Sequence, residues 1–153
     1  MSKSFIVPKK QDIRLVWALL CNDAVTDQET NNLTLYNLIE QFQISKTALL
    51  KQDKKIILPV AVKLVSLWSR INTTGKNEFS AQIEIDLVDP AGDVLQVIPH
   101  ELRVLEGKDR IRLIIKLQGL PVSKEGAYLF RFKVKRGTAF EVVGGAEFNF
   151  QVK

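Results

Sequence analysis

Cysteine and histidine occur once each in this chain of 153 residues, at Cys21 and His100. A single cysteine excludes an internal disulfide, and one Cys with one His excludes the common zinc ligand sets. The reading therefore assigns no catalytic residue, no metal and no cofactor. Long apolar runs are missing too. The longest, Leu15 to Cys21, covers seven residues, far below the roughly 20 that a membrane helix needs. The N-terminal MSKSFIVPKKQD offers only Phe5–Val7 as an apolar core, too short for a secretory signal. These absences predict a cytoplasmic protein with no membrane contact. Phosphate-binding loops, dinucleotide fingerprints and nucleophile elbows are also absent, which places an enzyme third among the functional readings.

Glycine is missing before Gly75 and frequent after it, at 92, 107, 119, 126, 137, 144 and 145. Turn signals at this spacing between apolar or alternating runs mark an all-β sandwich or barrel. In EFSAQIEIDLV, Phe79, Ala81, Ile83, Ile85 and Leu87 alternate with Ser80, Gln82, Glu84 and Asp86, the period of a strand with one wet face. RIRLIIKL sets Ile111, Leu113, Ile115 and Leu117 inward. AYLFRFKVK does the same with Tyr128, Phe130, Phe132 and Val134, and AEFNFQVK with Ala146, Phe148, Phe150 and Val152. PHELRVLE reads as a shorter, weaker strand.

Two stretches are apolar on both sides. Ile13, Leu15, Trp17, Leu19 and Cys21 alternate with Val16, Ala18 and Leu20, and ILPVAVKLVSLWSR behaves alike. The segment NLTLYNLIEQF fits two patterns. Leu35, Leu38, Ile39 and Phe42 have helical spacing with Asn32 as a cap. Two apolar runs about the polar NDAVTDQETNN instead suit an antiparallel strand pair, the preferred reading. KTALLKQ, 46–52, is a short helix or an irregular crossing. The expectation is an all-β chain: one antiparallel β-sandwich, Ig-like or C2-like, of about seven to nine strands at 11–153, with at most one short helix and a loose segment at 1–10.

LVWALLCND, then NLTLYNLIEQF, and much later GAYLFRFKVKRGTAFEV together resemble a family of small bacterial β-sandwich domains of unknown function. The resemblance covers most of the chain, and its motifs are packing motifs. It implies a strand at 33–43, with Asn37 where the family often carries glycine. Asn tolerates φ > 0, and a bulge there would explain the broken alternation. The resemblance supplies no catalytic residue.

Four constellations remain. Cys21–Asn22–Asp23 is read as the end of a buried strand with turn-forming polar residues behind it, because no sequence neighbour would lower the thiol pKa. The acidic loops Asp23–Glu29 and Asp86–Asp93 resemble calcium loops, but one loop supplies few ligands. His100 has no acid–base partner in view. The net charge of +5 is concentrated late, with ten positive and five negative groups in residues 106–153. If 110–117 and 127–135 pair directly, Arg110, Arg112, Lys116, Arg131, Lys133 and Lys135 share one basic face, fit for an acidic protein or nucleic acid, unless Glu84 and Asp86 answer it.

A last expectation concerns Val16, Ala18, Leu20, Val65 and Leu67. They would line the outer face of a two-sided apolar sheet, to be covered by the chain itself or by a second copy or partner. The leading functional reading is a non-catalytic binding or assembly module acting through sheet surfaces, as a homo-oligomer or on a protein partner. Nucleic-acid or acidic-partner association through the basic face is the alternative.

Overall fold

The computed structural model describes residues 11–53, 55–71 and 77–153. The segment expected to be loose, 1–10, and the Gly75 turn lie outside the described residues. Among the described residues ten strands follow in order: β1 Ile13–Thr26, β2 Leu33–Leu38, β3 Gln41–Ile44, β4 Leu50–Gln52, β5 Lys55–Arg70, β6 Phe79–Val88, β7 Val94–Val104, β8 Arg110–Val122, β9 Gly126–Arg136 and β10 Ala139–Val152. One 3-10 turn, Lys46–Ala48, precedes β4. The strands exceed the expected seven to nine because NLTLYNLIEQF breaks into β2 and β3 and KTALLKQ contributes β4. None of the described helices is long and apolar enough to cross a membrane.

Two sheets face each other, as expected of an all-β sandwich. In sheet A the long β5 is central. β8 pairs along one side of it, from Ile56↔Val122 to Ser69↔Arg110. β1 and the short β4 share the other side, and β2 pairs β1. Sheet B runs β3-β10-β9-β6-β7. Among the described residues all pairings are antiparallel except β3 with β10. Residues 33–44 therefore leave sheet A after Leu38 and enter sheet B at Gln41.

The core lies between the sheets. From β6 come Ile83, Ile85 and Leu87, from β9 Tyr128, Phe130, Phe132 and Val134, and from β10 Phe148 and Phe150. Leu58, Leu64 and Trp68 of β5 meet them. These are the inward sets that the period of two predicts. Each fully covered side chain contributes about 1.5–3 kcal/mol. The Tyr128 ring stacks on Phe148 at 5.2 Å. Its hydroxyl accepts from Ser123 N at 2.9 Å and donates to Lys124 O, tying the short β8–β9 connection to the core. The Trp68 indole N–H is satisfied by Ser66 Oγ at 2.9 Å.

β1 departs from simple alternation. Its register to β5 shifts between Leu15 and Trp17, so Val16 is an extra residue that turns the faces over. Ile13 and Leu15 pack in the main core before the bulge, and Ala18 and Leu20 after it. Trp17 and Cys21 fall on the opposite side, in a second apolar cluster. The expected grouping of Ile13 through Cys21 on one face is therefore corrected. Two apolar phases conceal such a bulge, because either face reads as buried.

Asn37 has φ +52°, the left-handed conformation expected at this position. The β1–β2 register crosses it without a shift, from Asp23↔Tyr36 to Cys21↔Leu38. The expected bulge is therefore not there, and the positive φ is.

Candidate functional site

Cys21 stands where β1 changes partners. It pairs Lys63 of β5 and Leu38 of β2. Up to Cys21 the strand belongs to the flat of sheet A. Beyond it, residues 22–26 with β2 form a hairpin arm that bends back over the outer side of the same sheet. Two observations establish the bend. Leu33 and Leu35 of β2 pack against Cys21, Ala24 and Val65, together with Trp17 and Ile114. On β5, Val65 alternates with the core residue Leu64, so it points outward. In addition Arg112 of β8, on the far side of β5, donates from Nη2 to Asn31 O at 3.1 Å and from Nη1 to Thr26 Oγ1 at 3.4 Å. The tip of the arm thus reaches across β5 to β8.

The Cys-Asn-Asp sequence builds this bend. Cys21 and Ala24, three positions apart, enter the same cluster. The alternation breaks between them, beside the positive φ of Asn37. Asp23 accepts from the backbone N–H of Ala24 at 2.8 Å and from Lys63 Nζ at 2.6 Å. The Lys63 hydrogen bond holds the Asp23 carboxyl below its ordinary range. The Cys21 thiol is fully buried and donates to Lys63 O at 3.6 Å. Burial, then the Asp23 charge, pushes its pKa up, the opposite of what a nucleophile needs. His100 is exposed on β7 of the other sheet. It lines a shallow cavity of about 320 Å³ with Glu84, Pro99 and Phe140, and Cys21 is not among its neighbours there.

The expected apolar interface is accordingly taken apart. Ala18 and Leu20 belong to the main core, and Leu20 is 3% exposed. Val65 is 0% exposed beneath the arm. Leu67 is half-buried, and only Val16, the bulged residue, is open at 37%. The chain itself covers Val65 on this face. The 3-10 turn at 46–48 plays no part in the cover: it has no buried residue, and the following Leu49 packs against the main core instead.

The basic ribbon is also dispersed. β8 pairs β5 in sheet A, whereas β9 pairs β6 and β10 in sheet B. Arg110, Arg112 and Lys116 therefore lie on one sheet, and Arg131, Lys133 and Lys135 on the other. The connection at 123–125 crosses between the sheets instead of closing a hairpin. Arg112 serves the arm. Arg131 and Lys133 are answered as the alternation of β6 allowed. Asp86, 1% exposed, accepts from Arg131 at 2.8 Å and Lys133 at 2.9 Å, and Glu84 lies 3.3 Å from Lys133. Burial pushes Asp86 up, but the Lys133 and Arg131 hydrogen bonds outweigh it and hold the carboxyl below its usual value.

The acidic loops are made of ordinary turn bonds. Asp89 accepts from Ala91 N and Asp93 N, at 2.9 and 2.8 Å, and from Ser123 Oγ at 2.6 Å. Asp27 accepts from Glu29 N and Thr30 N. Among the described residues no three His, Cys, Asp or Glu side chains gather as metal ligands.

What sequence reasoning missed is the outer side of the arm. Val25, Tyr36 and Leu38 are 48, 51 and 54% exposed. The available signal was the absence of Lys, Arg, Asp or Glu from residues 30–39 in a segment already read as half of a hairpin. No curated protein matches the chain. A family model described as "Family of unknown function (DUF6941)" matches residues 16–137, from the bulge of β1 to the turn after β9. NLTLYNLIEQF falls within that span, as do all but the first residue of LVWALLCND and the GAYLFRFKVKRG part of the β9 motif, and the chain belongs to this family of unknown function.

Proposed function

We propose that this protein is a non-catalytic binding module whose working surface is the hairpin arm. One observation carries the reading: large apolar side chains, Val25, Tyr36 and Leu38, stand about half exposed on a short arm whose opposite side is firmly packed. Grouped exposed apolar residues on a well-packed support are the usual mark of an interaction surface. The Asp23–Lys63 ion pair at the bend and the Arg112 contacts at the tip also hold the arm in place, which suits recognition.

The test is affinity capture from the source cell with the wild-type chain and with Tyr36→Glu. Tyr36 is exposed, so the substitution leaves packing intact. A partner recovered by the first and lost by the second supports the reading. Identical captured proteins with both chains, or none with either, would overturn it.

A further inference from the structure

The strand edges of this sandwich are unequally protected. An unpaired edge is a template for another strand, and proteins blunt it with charge, proline or shortness. Among the described residues, β7 is an edge carrying Pro99, Glu101 and Arg103, and β8 an edge carrying Arg110, Arg112, Lys116 and Pro121. β3 and β4 are four and three residues long. β2 has none of these devices. It is six residues long, LTLYNL, pairs only β1, and contains neither charge nor proline.

Charge decides what fits this edge. Residues 15–45 contain Asp23, Asp27, Glu29 and Glu40 and no Lys or Arg, in a chain whose net charge is +5. Lys63 engages Asp23, and Asp27 holds its own turn. Glu29 and Glu40 remain exposed, one before β2 and one after it. A second copy pairing β2 against β2 about a two-fold axis would bring the Glu29 end of one strand toward the Glu40 end of the other, acid beside acid. That arrangement is disfavoured. A foreign strand with basic residues at its ends meets opposite charge at both.

Resting on the reading of the arm as the working surface, we infer that β2 takes an extended, lysine- or arginine-flanked peptide segment of a partner protein as an added strand. Main-chain hydrogen bonds along β2 give the affinity. Tyr36 and Leu38 receive alternate apolar side chains, and Glu29 and Glu40 select the flanks.

The probe is a fluorescent peptide with a valine–threonine core flanked by lysines, with a glutamate-flanked peptide as its counterpart. Anisotropy gives affinity, and amide hydrogen exchange locates the contact. The expected result is binding of the lysine-flanked peptide alone, with new protection at residues 33–38. Glu29→Gln with Glu40→Gln weakens it about tenfold, as two exposed ion pairs would. Tyr36→Lys with Leu38→Lys, which gives β2 the charge the other edges have, abolishes it. Equal binding of both peptides, protection elsewhere, or a concentration-dependent dimer that excludes the peptide would overturn the inference. If capture remains dependent on Tyr36 while the peptide fails to bind, this inference falls and the proposed function stands. If capture is independent of Tyr36, the proposed function falls first.

Discussion

The two outer faces of the sandwich solve the same problem in different ways. On sheet B, β6 and β9 place acids opposite bases, and Asp86 is buried under its own ion partners Arg131 and Lys133. On sheet A, Trp17, Cys21, Val65 and Ile114 form an apolar surface, and the chain folds a hairpin across it. A charged face is closed by side chains alone. An apolar face needs backbone to cover it, and the covering element then presents a new surface of its own. The difference teaches why the proposed recognition surface belongs to sheet A.

The largest expected effect breaks the sheet B half of this comparison. Asp86→Ala leaves partly buried Arg131 without its carboxylate partner and Lys133 with Glu84 alone. It is expected to cost about 3–5 kcal/mol, read as a lower urea midpoint. The pH dependence has a definite sign. The folded Asp86 value is lowered, so its contribution is complete above the ordinary Asp value of about 3.9 and is lost as pH falls through the lowered folded value. Asp86→Asn should flatten that acid limb, and an unchanged limb would show that the face is not held by this carboxylate.

The sheet A half is tested by Val65→Ala. Val65 is fully covered by the arm, and removing two methyl groups is expected to cost about 2 kcal/mol in the same titration. A loss near zero would mean that the arm does not pack there. Smaller again is the bend. At Asn37, φ +52° makes Asn37→Val unfavourable by about 1–2 kcal/mol, whereas Asn37→Gly should hold or raise the melting temperature. Equal effects would show that the left-handed conformation is not needed. The smallest global effect is expected of Asp23→Asn, whose carboxylate is solvent-exposed. It should speed amide exchange in residues 22–38 while leaving β6 and β9 amides unchanged.

These regions also differ in how far the sequence discloses them. Alternation in Phe79–Leu87 of β6, in β9 and in Ala146–Val152 of β10 identifies both their inward residues and the Glu84–Asp86 answer to Arg131 and Lys133, because one wet face fixes the phase. In β1 both phases are apolar, so the bulge at Val16 leaves no trace in the pattern, and Leu20 reads as outward although it is core. The link from Val122 to Gly126 looks like a hairpin since sequential strands commonly pair. Only the β5 partnership of β8, a contact between residues far apart in the chain, moves Arg110, Arg112 and Lys116 away from β9. The arm is half legible. Its strand pair follows from two apolar runs about a polar loop, and the positive φ at Asn37 from the family resemblance, but its position over Val65 depends on long-range packing.

Cys21 is the only cysteine, and it lies under the arm, so a thiol reagent reports that cover directly. The measurement is its modification rate in native buffer, for wild type and for Leu35→Asp, with the urea midpoint taken on the same samples. If the arm is the lid of sheet A, wild-type Cys21 stays unreactive. Leu35→Asp then exposes it at a urea concentration well below the transition of the remaining sandwich. Rapid labelling of the native wild type, or labelling of the variant only when the whole chain unfolds, would contradict the account.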